Sequence, residues 1–271
     1  MEKWRIIKNT TYNAYMNMAI DEAIMIAHRE GKVEPTLRFY TWKPACISIG
    51  YFQKLEKEID LDKCKELNID YVRRTTGGRA VLHDDELTYS IVVRENHPLM
   101  DGGIIKSYKF ISEGLCKGLS LCGVKTDELS RGERIGRENL SSACFNAHSA
   151  YEVTINNKKV IGSAQTRKDG IILQHGSIIL NFDVNKLFSV IKIRDEKQKE
   201  RLIRFTANKA SGIENETKIK IDINILQENI VKALKEHFKV EFYECNLTEY
   251  EISIANELYK KYSSDEWNKK R

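Results

Sequence analysis

The stretch of sequence that decides the fold spans residues 73–93 and reads RRTTGGRAVLHDDELTYSIVV. A glycine pair at 77–78 stands between two apolar segments, and glycine permits a positive φ and a close approach of backbone N–H groups to a ligand. Arg73, Arg74 and Arg79 flank the pair, and their guanidinium groups can face an anion or a polarised carbonyl. The pattern predicts a strand, a ligand-binding loop and a second strand. A hairpin with a solvated, charged turn has the same composition, so both interpretations stay open at this point.

The segment after the loop carries a histidine and an acidic run. His83 ends the short apolar run 80–82, and the alternation of apolar and polar residues over 87–91 predicts a strand. The acidic run 84–86 lies between them. Three adjacent acidic side chains point in different directions, which does not suit a metal site, so we expect a solvated turn there.

The length and composition are typical of a globular protein with one core. The chain has 271 residues, of which 41% are hydrophobic and 31% are charged. No window approaches twenty apolar residues, so the sequence predicts no membrane-spanning helix. The opening residues MEKWRIIK contain no signal-peptide core, and we therefore expect the protein in the cytoplasm.

The cysteines and the net charge exclude several kinds of site. Six cysteines are scattered along the chain without a Cys-x-x-Cys pair or zinc-finger spacing, so we expect no metal, no cofactor and no disulfide framework. The net charge of +5 is spread out, whereas nucleic-acid binding usually shows a dense basic stripe. A small positive excess suits docking of an acidic protein partner, and ordinary solubility is the alternative explanation.

Hydrophobic periodicity places strands mainly before residue 182 and helices after it. Strands are expected at 4–7, 37–42, 46–52, 70–73, 80–93, 151–155, 160–166 and 171–180. Helices are expected after Asn13 and at 55–67, 104–121, 225–238 and 248–262, and an irregular loop at 126–139. This order predicts one α+β domain over 1–271, with a mixed sheet and a small helical C-terminal subdomain over 185–271.

Five segments resemble motifs of the biotin/lipoate protein ligase and octanoyltransferase superfamily. They are RRTTGGRAVLH at 73–83, NMAIDEA at 17–23, KVIGSAQTR at 159–167, LQHGS at 173–177 and SSDEWN at 263–268. The matches span nearly the whole chain, and the segment Ser142-Ala143-Cys144-Phe145 most resembles octanoyltransferases of the LipM type. The resemblance implies an α+β fold with a mixed sheet and flanking helices, that of class II biotin and lipoate ligases.

The resemblance assigns the chemistry to Cys144 and Lys159. Cys144 follows an Arg-rich stretch and precedes His148, and nearby positive charge stabilises a thiolate, although most free cysteines are inert. In the family, the acyl-accepting cysteine stands in a matching Ser-x-Cys-Phe segment. Lys159 would stabilise the thiolate and the negative charge that develops on the acyl oxygen. A solvated lysine at a turn, as expected for Lys158, is the alternative.

The resemblance also implies an acyl pocket, although packing or solvation explains each of its residues as well. Histidines at strand ends, for example, are more often core residues than catalysts. The residues expected to line the pocket are Arg73, Arg74, Gly77, Gly78, Arg79, His83, Gly162, Ser163, Gln174 and His175. Arg79 and Gln174 are weaker candidates among them, as is Arg38.

The function that the resemblance implies is a two-step acyl transfer. Octanoyl would move from octanoyl-acyl carrier protein to Cys144, and then to a lysine of the glycine cleavage H protein or another lipoyl domain, without ATP. The alternatives are an ATP-dependent lipoate–protein ligase, an octanoyl-protein amidotransferase and a non-catalytic acyl-binding module. Such ligases typically carry a third glycine where this sequence has Arg79, which favours the transferase.

Overall fold

The computed structural model describes residues 1–129, 152–193 and 195–270. Within these ranges the strands, in chain order, are β1 (Glu2–Tyr12), β2 (Thr36–Trp42), β3 (Cys46–Ile49), β4 (Asp70–Arg73), β5 (Val81–His83), β6 (Glu86–Arg94), β7 (Val153–Ile155), β8 (Lys158–Lys168), β9 (Ile171–Ile179) and β10 (Val240–Glu244).

The helices of the same ranges surround these strands. In chain order they are α1 (Ala14–Arg29), α2 (Leu55–Glu58), α3 (Leu61–Glu66), α4 (Gly103–Leu121), α5 (Val184–Ser189), α6 (Glu196–Ala207), α7 (Ile213–Thr217), α8 (Ile223–Phe238), α9 (Glu249–Tyr262) and α10 (Asp265–Asn268), with a 3-10 turn at Pro98–Met100. In the described part of the chain, no helix is long and apolar enough to cross a lipid bilayer.

The main sheet is mixed, as the sequence predicts. Its described strands follow the order β10-β1-β2-β6-β9-β8-β7. β1 runs parallel to both of its neighbours, whereas the pairs from β2 to β7 are antiparallel. The C-terminal region, predicted to be mainly helical, also supplies the edge strand β10, in which Val240 lies opposite Glu2. That region therefore completes the sheet as well as covering it.

Helices cover both faces of the main sheet because each face carries apolar side chains. Leu87, Tyr89 and Ile91 of β6 belong to the core cluster that α4 and α8 close. Val92 of β6 and Leu173 of β9 belong to a second cluster, formed with α1 and α9. Burying one such side chain stabilises the fold by about 1.5–3 kcal/mol. The alternation predicted at 87–91 thus separates an apolar face from a face that carries Thr88 and Ser90.

Helix α4 approaches α8 closely because two glycines lie at the contact. A Cβ atom at Gly118 would lie 2.8 Å from the Cα of Ile230, and one at Gly114 would lie 2.5 Å from Cδ2 of Leu234. A larger residue at either position would push the helices apart.

A second sheet, of three described strands in the order β4-β3-β5, holds the glycine loop. β3 is parallel to β4 and antiparallel to β5. The strand–loop–strand prediction for residues 70–83 is therefore confirmed, while the hairpin interpretation is wrong, since β3 separates the two strands. This sheet packs on a third cluster with α5 and α6, which includes Phe188 and Leu202.

Two predicted elements are divided in the structure. The single helix expected over 55–67 is interrupted at Ile59, which forms an antiparallel bridge to Ile191. The next residue, Asp60, donates its N–H to the Val190 carbonyl (2.9 Å) and caps α3 with its carboxylate. This tertiary pairing outweighs helix propensity. The strand expected over 80–93 is likewise divided into β5 and β6, which belong to different sheets.

Candidate active site

A cavity lies where the two sheets meet, because strands of both sheets contribute to its wall. Its apolar lining residues come mainly from α1, β2 and β5. Its polar lining residues come from the glycine loop and from β3, β5, β6, β8 and β9. The lining residues are Met18, Tyr40, Trp42, Ser48, Arg74, Gly78, Val81, His83, Thr88, Lys159, Gly162, Ser163, Ala164, His175, Gly176 and Ser177. The cavity therefore joins an apolar wall, which suits an alkyl chain, to a lysine and two histidines.

The glycine loop can approach this cavity because Gly50, the residue directly after β3, packs against it without a side chain. Gly78 has φ of +97°, a conformation that favours glycine. A Cβ atom at Gly50 would lie 2.0 Å from the Gly78 carbonyl oxygen, so only glycine fits there. The sequence analysis identified Gly78 but not Gly50.

Arg74 is 4% exposed and fixes the shape of the loop. Its guanidinium donates to the carbonyl oxygens of Gly77 (2.8 Å) and Arg79 (2.7 Å). It also donates to the hydroxyls of Ser48 and Thr76, each at 3.1 Å. A guanidinium has several donors in a rigid plane, so one side chain holds both ends of the loop.

Ser48, His83 and Glu86 form a hydrogen-bonded line, here called the His83 network. Nε2 of His83 lies 2.8 Å from Oγ of Ser48, and Nδ1 lies 2.7 Å from Oε1 of Glu86. Thr88 donates to the same carboxylate oxygen (2.6 Å), and Trp42 stacks on the imidazole with 4.2 Å between ring centroids. The solvated turn expected at 84–86 is thus wrong for Glu86, which is buried because His83 and Thr88 give it hydrogen-bond donors.

Thr76, His175 and Asp21 form a second line, here called the His175 network. Nε2 of His175 lies 2.7 Å from Oγ1 of Thr76, and Nδ1 lies 3.3 Å from Oδ2 of Asp21. Asp21 also accepts from Arg38 (2.8 Å) and Tyr40 (2.9 Å). Burial would raise the pKa of Asp21, but the hydrogen bond from His175 and the charge of Arg38 outweigh it, so its pKa is lowered. Burial lowers the pKa of His175, which favours the neutral imidazole.

Lys159 is 2% exposed and lines the cavity at the start of β8. Its Nζ lies 3.1 Å from Oε1 of Glu152, which follows directly on residues outside the described ranges. Its backbone is held between Lys209 and Ser211 by two hydrogen bonds of 2.9 and 3.1 Å. The neighbouring Lys158 pairs with Glu216 (2.8 Å) and is one-third exposed. The structure therefore places Lys159, and not Lys158, in the cavity wall.

Arg73 lies outside the cavity wall and binds the C-terminal segment. Its guanidinium donates to the carbonyl oxygens of Tyr51 (2.9 Å), Gln53 (2.7 Å) and Asn268 (2.7 Å). It also donates to those of Gly50 and Trp267. Adjacent residues on an extended backbone point to opposite sides, which is why Arg73 and Arg74 have different partners.

The remaining predicted binding residues lie around the cavity in different ways. Gly162 and Ser163 line it, while Gly77 faces a neighbouring groove. Gln174 points to the opposite face of the sheet from His175, where its amide donates to Tyr89 Oη (2.9 Å). Arg79 is half-buried and contributes its carbonyl oxygen to Arg74.

Several predicted residues lie outside the described ranges. They are Cys144, His148 and the arginines of the preceding stretch, Arg131, Arg134 and Arg137. The relation of Cys144 to Lys159 therefore remains a prediction. Among the described residues, no group of three or more His, Cys, Asp or Glu side chains is arranged to hold a metal ion.

Sequence reasoning missed four polar residues of the two networks. They are Ser48, Thr76, Glu86 and Asp21. Ser48 lies between Ile47 and Ile49 in a buried strand, and a hydroxyl in such a run needs a buried partner, which was a usable signal. Asp21 lies within the segment 17–23 that matched the superfamily. Its neighbours in the sequence of α1 are mostly apolar, which also indicated a buried carboxylate.

Several known proteins are similar to this chain in sequence. Curated proteins called octanoyltransferase LipM are similar over nearly the whole chain. That of Clostridioides difficile (strain 630) is 67% identical over 271 residues and covers all of both chains. That of Staphylococcus aureus (strain NCTC 8325 / PS 47) is 42% identical and covers 98% of each.

Solved structures show the same fold. A bipartite lipoate protein ligase of Thermoplasma acidophilum, described with its E2 lipoyl domain, has a TM-score of 0.80 at 29% identity, covering 99% of this chain and 96% of that one. A lipoate-protein ligase A bound with ATP has a TM-score of 0.78 at 29% identity, covering 99% of each chain. The family model described as the lipoyl protein ligase A/B catalytic domain matches residues 13–235. The chain therefore belongs to the lipoyl protein ligase A/B catalytic domain family.

Proposed function

We propose that this protein is an octanoyltransferase of lipoate biosynthesis that works through a thioester on Cys144. The donor is octanoyl-acyl carrier protein, and the acceptor is a lysine of a lipoyl domain, such as the glycine cleavage H protein. The observation that carries the proposal is the buried Lys159 in the wall of a cavity that Met18, Trp42 and Val81 also line. The octanoyltransferase relatives, at 42–67% identity over almost the full chain, support the same reaction.

The proposed reaction has two acyl transfers. The Cys144 thiolate attacks the thioester carbonyl, and the carrier's thiol leaves with a proton. The acceptor amine then attacks the new thioester, the C–S bond breaks, and the amine proton passes to the cysteine sulfur. Both steps place negative charge on the carbonyl oxygen. The charge of Lys159 stabilises that oxygen and the thiolate, and burial makes its effect stronger than it would be in water.

The apolar wall supplies affinity for the octanoyl chain. Met18, Tyr40, Trp42 and Val81 come from α1, β2 and β5 and face the cavity together. Each methylene that they remove from water adds about 0.8 kcal/mol to binding. The wall therefore favours an alkyl chain over a short acyl group.

Three alternatives compete with this proposal. The ATP-bound ligase shows that the fold also supports ATP-dependent attachment of lipoate. Arg79 stands where the resemblance expects a third glycine in such ligases, and a thioester donor already holds the free energy that ATP would supply. An octanoyl-protein amidotransferase would use the same cysteine, and a non-catalytic acyl-binding module would need neither Cys144 nor Lys159.

Intact mass measurement distinguishes these functions. After mixing with octanoyl carrier protein and no nucleotide, we expect one octanoyl group on the protein that neutral hydroxylamine removes, mapped to Cys144. Adding an apo lipoyl domain should transfer it to a lysine. Cys144→Ala should show neither step. ATP-dependent attachment of free lipoate that survives Cys144→Ala would replace the proposal with the ligase.

An octanoylated lipoyl domain offered as the only donor tests the amidotransferase. Preferred use of that donor over the carrier thioester would favour the amidotransferase. If neither donor gives an adduct or a transferred acyl group, the acyl-binding module remains.

A further inference from the structure

The two histidine networks meet at one side chain. Arg74 donates through Nη1 to Ser48, the first member of the His83 network, and through Nε to Thr76, the first member of the His175 network. Each network then continues through an imidazole to a buried carboxylate, Glu86 or Asp21.

The carboxylates fix the direction of the hydrogen bonds at Nδ1. A carboxylate only accepts, so Nδ1 of each imidazole donates to its carboxylate. A neutral ring then has no proton on Nε2, which accepts from the hydroxyl of Ser48 or Thr76. Both ring nitrogens of His83 and of His175 are thus engaged within the protein.

Among the described residues, each network contains one buried carboxylate, and buried arginines lie beside them. Arg74 and Arg38 are buried cations, and Asp21 and Glu86 are buried anions. In the described part of the chain, the titratable groups close to the networks also include Tyr40, which is bonded to Asp21, Cys46, which lies opposite His83 in the second sheet, and Lys159 with its partner Glu152. A proton on either imidazole would add a positive charge close to that of Arg74. The lowered pKa of His175 agrees with this effect.

We propose that Arg74 is a positioning residue for this cavity. Through Ser48 and Thr76 it keeps the imidazoles of His83 and His175 neutral, with the lone pair of each Nε2 occupied. The cavity then selects an unsubstituted alkyl chain. A hydroxyl on the acyl chain then loses its hydrogen bonds to water and finds the imidazole nitrogens already bonded. The inference rests on the proposed function in one respect, namely that an acyl chain occupies this cavity.

Specificity ratios test the proposal with a matched pair of variants. The substrates are carrier-protein thioesters of octanoate and of 6-, 7- and 8-hydroxyoctanoate. For the wild type we expect kcat/KM to favour octanoyl by about 100-fold. Thr76→Val removes the hydroxyl at nearly constant shape and frees Nε2 of His175, so the preference should fall at least tenfold for one of the hydroxylated chains. Thr76→Ser keeps the hydroxyl and should keep the preference.

Two further variants test the other parts of the arrangement. Ser48→Ala should relax the preference through His83. Arg74→Lys keeps the charge but lacks the planar set of donors. This variant should therefore relax the preference for octanoyl through both networks. If every variant lowers kcat/KM for all four thioesters in parallel, the networks only support the fold and the proposal is wrong.

The state of the histidines is measured separately from turnover. In wild-type protein with 15N-labelled histidine at pH 7, His83 and His175 should both show a protonated Nδ1 and an unprotonated Nε2. An imidazolium, or an Nε2–H tautomer, at either position would overturn the proposal. Because this measurement needs no substrate, it keeps its meaning even if the octanoyl transfer itself is not observed.

Discussion

Arg73 and Asn268 exchange hydrogen bonds across 195 positions of sequence. The Arg73 N–H donates to the side-chain oxygen of Asn268, and the Arg73 guanidinium donates to the Asn268 carbonyl, both at 2.7 Å. Trp267 adds a donor to the Arg73 carbonyl (2.8 Å). Helix α10 is thereby bonded to the strand that leads into the glycine loop.

Replacement of Arg73 should destabilise the protein. Arg73→Ala leaves five carbonyl oxygens without this donor, and we expect the free energy of unfolding in urea to fall by about 2–5 kcal/mol. Arg29→Ala is the control, since Arg29 is 43% exposed and pairs with Asp169, and it should change the value by less than about 1 kcal/mol. Equal effects of the two replacements would show that the buried contacts contribute little.

Loss of Lys159 should affect chemistry more than stability. In Lys159→Ala we expect alkylation of Cys144 near neutral pH to slow and octanoyl transfer to fall by about 100-fold or more, because the proposed reaction uses the charge of Lys159 to stabilise the thiolate and the oxyanion. Lys158→Ala should be mild, since that side chain pairs with Glu216 away from the cavity. Unchanged alkylation rates in Lys159→Ala at every pH would remove the thiolate role.

Gly50→Ala should disrupt the glycine loop. Its new methyl group would lie 2.0 Å from the Gly78 carbonyl oxygen, so the loop must move and Arg74 loses its contacts. We expect octanoyl transfer to fall by at least tenfold while circular dichroism stays that of a folded protein. Gly123→Asn is the control, because Gly123 has φ of +78° with open space around it and asparagine tolerates that conformation. Full activity of Gly50→Ala would show that the loop position is not critical.

Lowering the pH should destabilise the protein, because His175 is buried as a neutral imidazole. Burial lowers the folded-state pKa of this imidazole below its ordinary value of 6.5, so the unfolded chain binds more protons between the two values. The free energy of unfolding should therefore decrease as pH falls below 6.5. His28 and His237 have lowered pKa values as well, so the comparison is with His175→Gln, which should show a shallower dependence between pH 8 and pH 5. Identical slopes would mean that His175 does not titrate in this range.

Local patterns predicted the features that depend on neighbouring residues. Asn13 caps α1 by accepting from the Met16 N–H, as its position before a helical repeat suggested. The alternation at 87–91 correctly predicted β6, because one face of that strand is apolar. The glycine pair correctly predicted a loop between two strands.

Features that depend on distant partners were not predictable in this way. The break at Ile59 needs Ile191, which is far away in sequence. Glu86 is buried because His83, Thr88 and Ser177 all approach its carboxylate, and only the folded sheets bring these three together. The different partners of Arg73 and Arg74 likewise depend on which side of β4 meets α10.

The bond between Arg73 and the C-terminal segment also has a consequence for protein synthesis. A ribosome makes residues 267 and 268 long after Arg73, so the Arg73 guanidinium can reach its carbonyl acceptors at residues 50, 51 and 53 before those at 267 and 268 exist. A nascent chain that is released early lacks the anchor of the strand before the loop. Synthesis of α10 thus adds the last of these contacts to the strand that leads into the glycine loop.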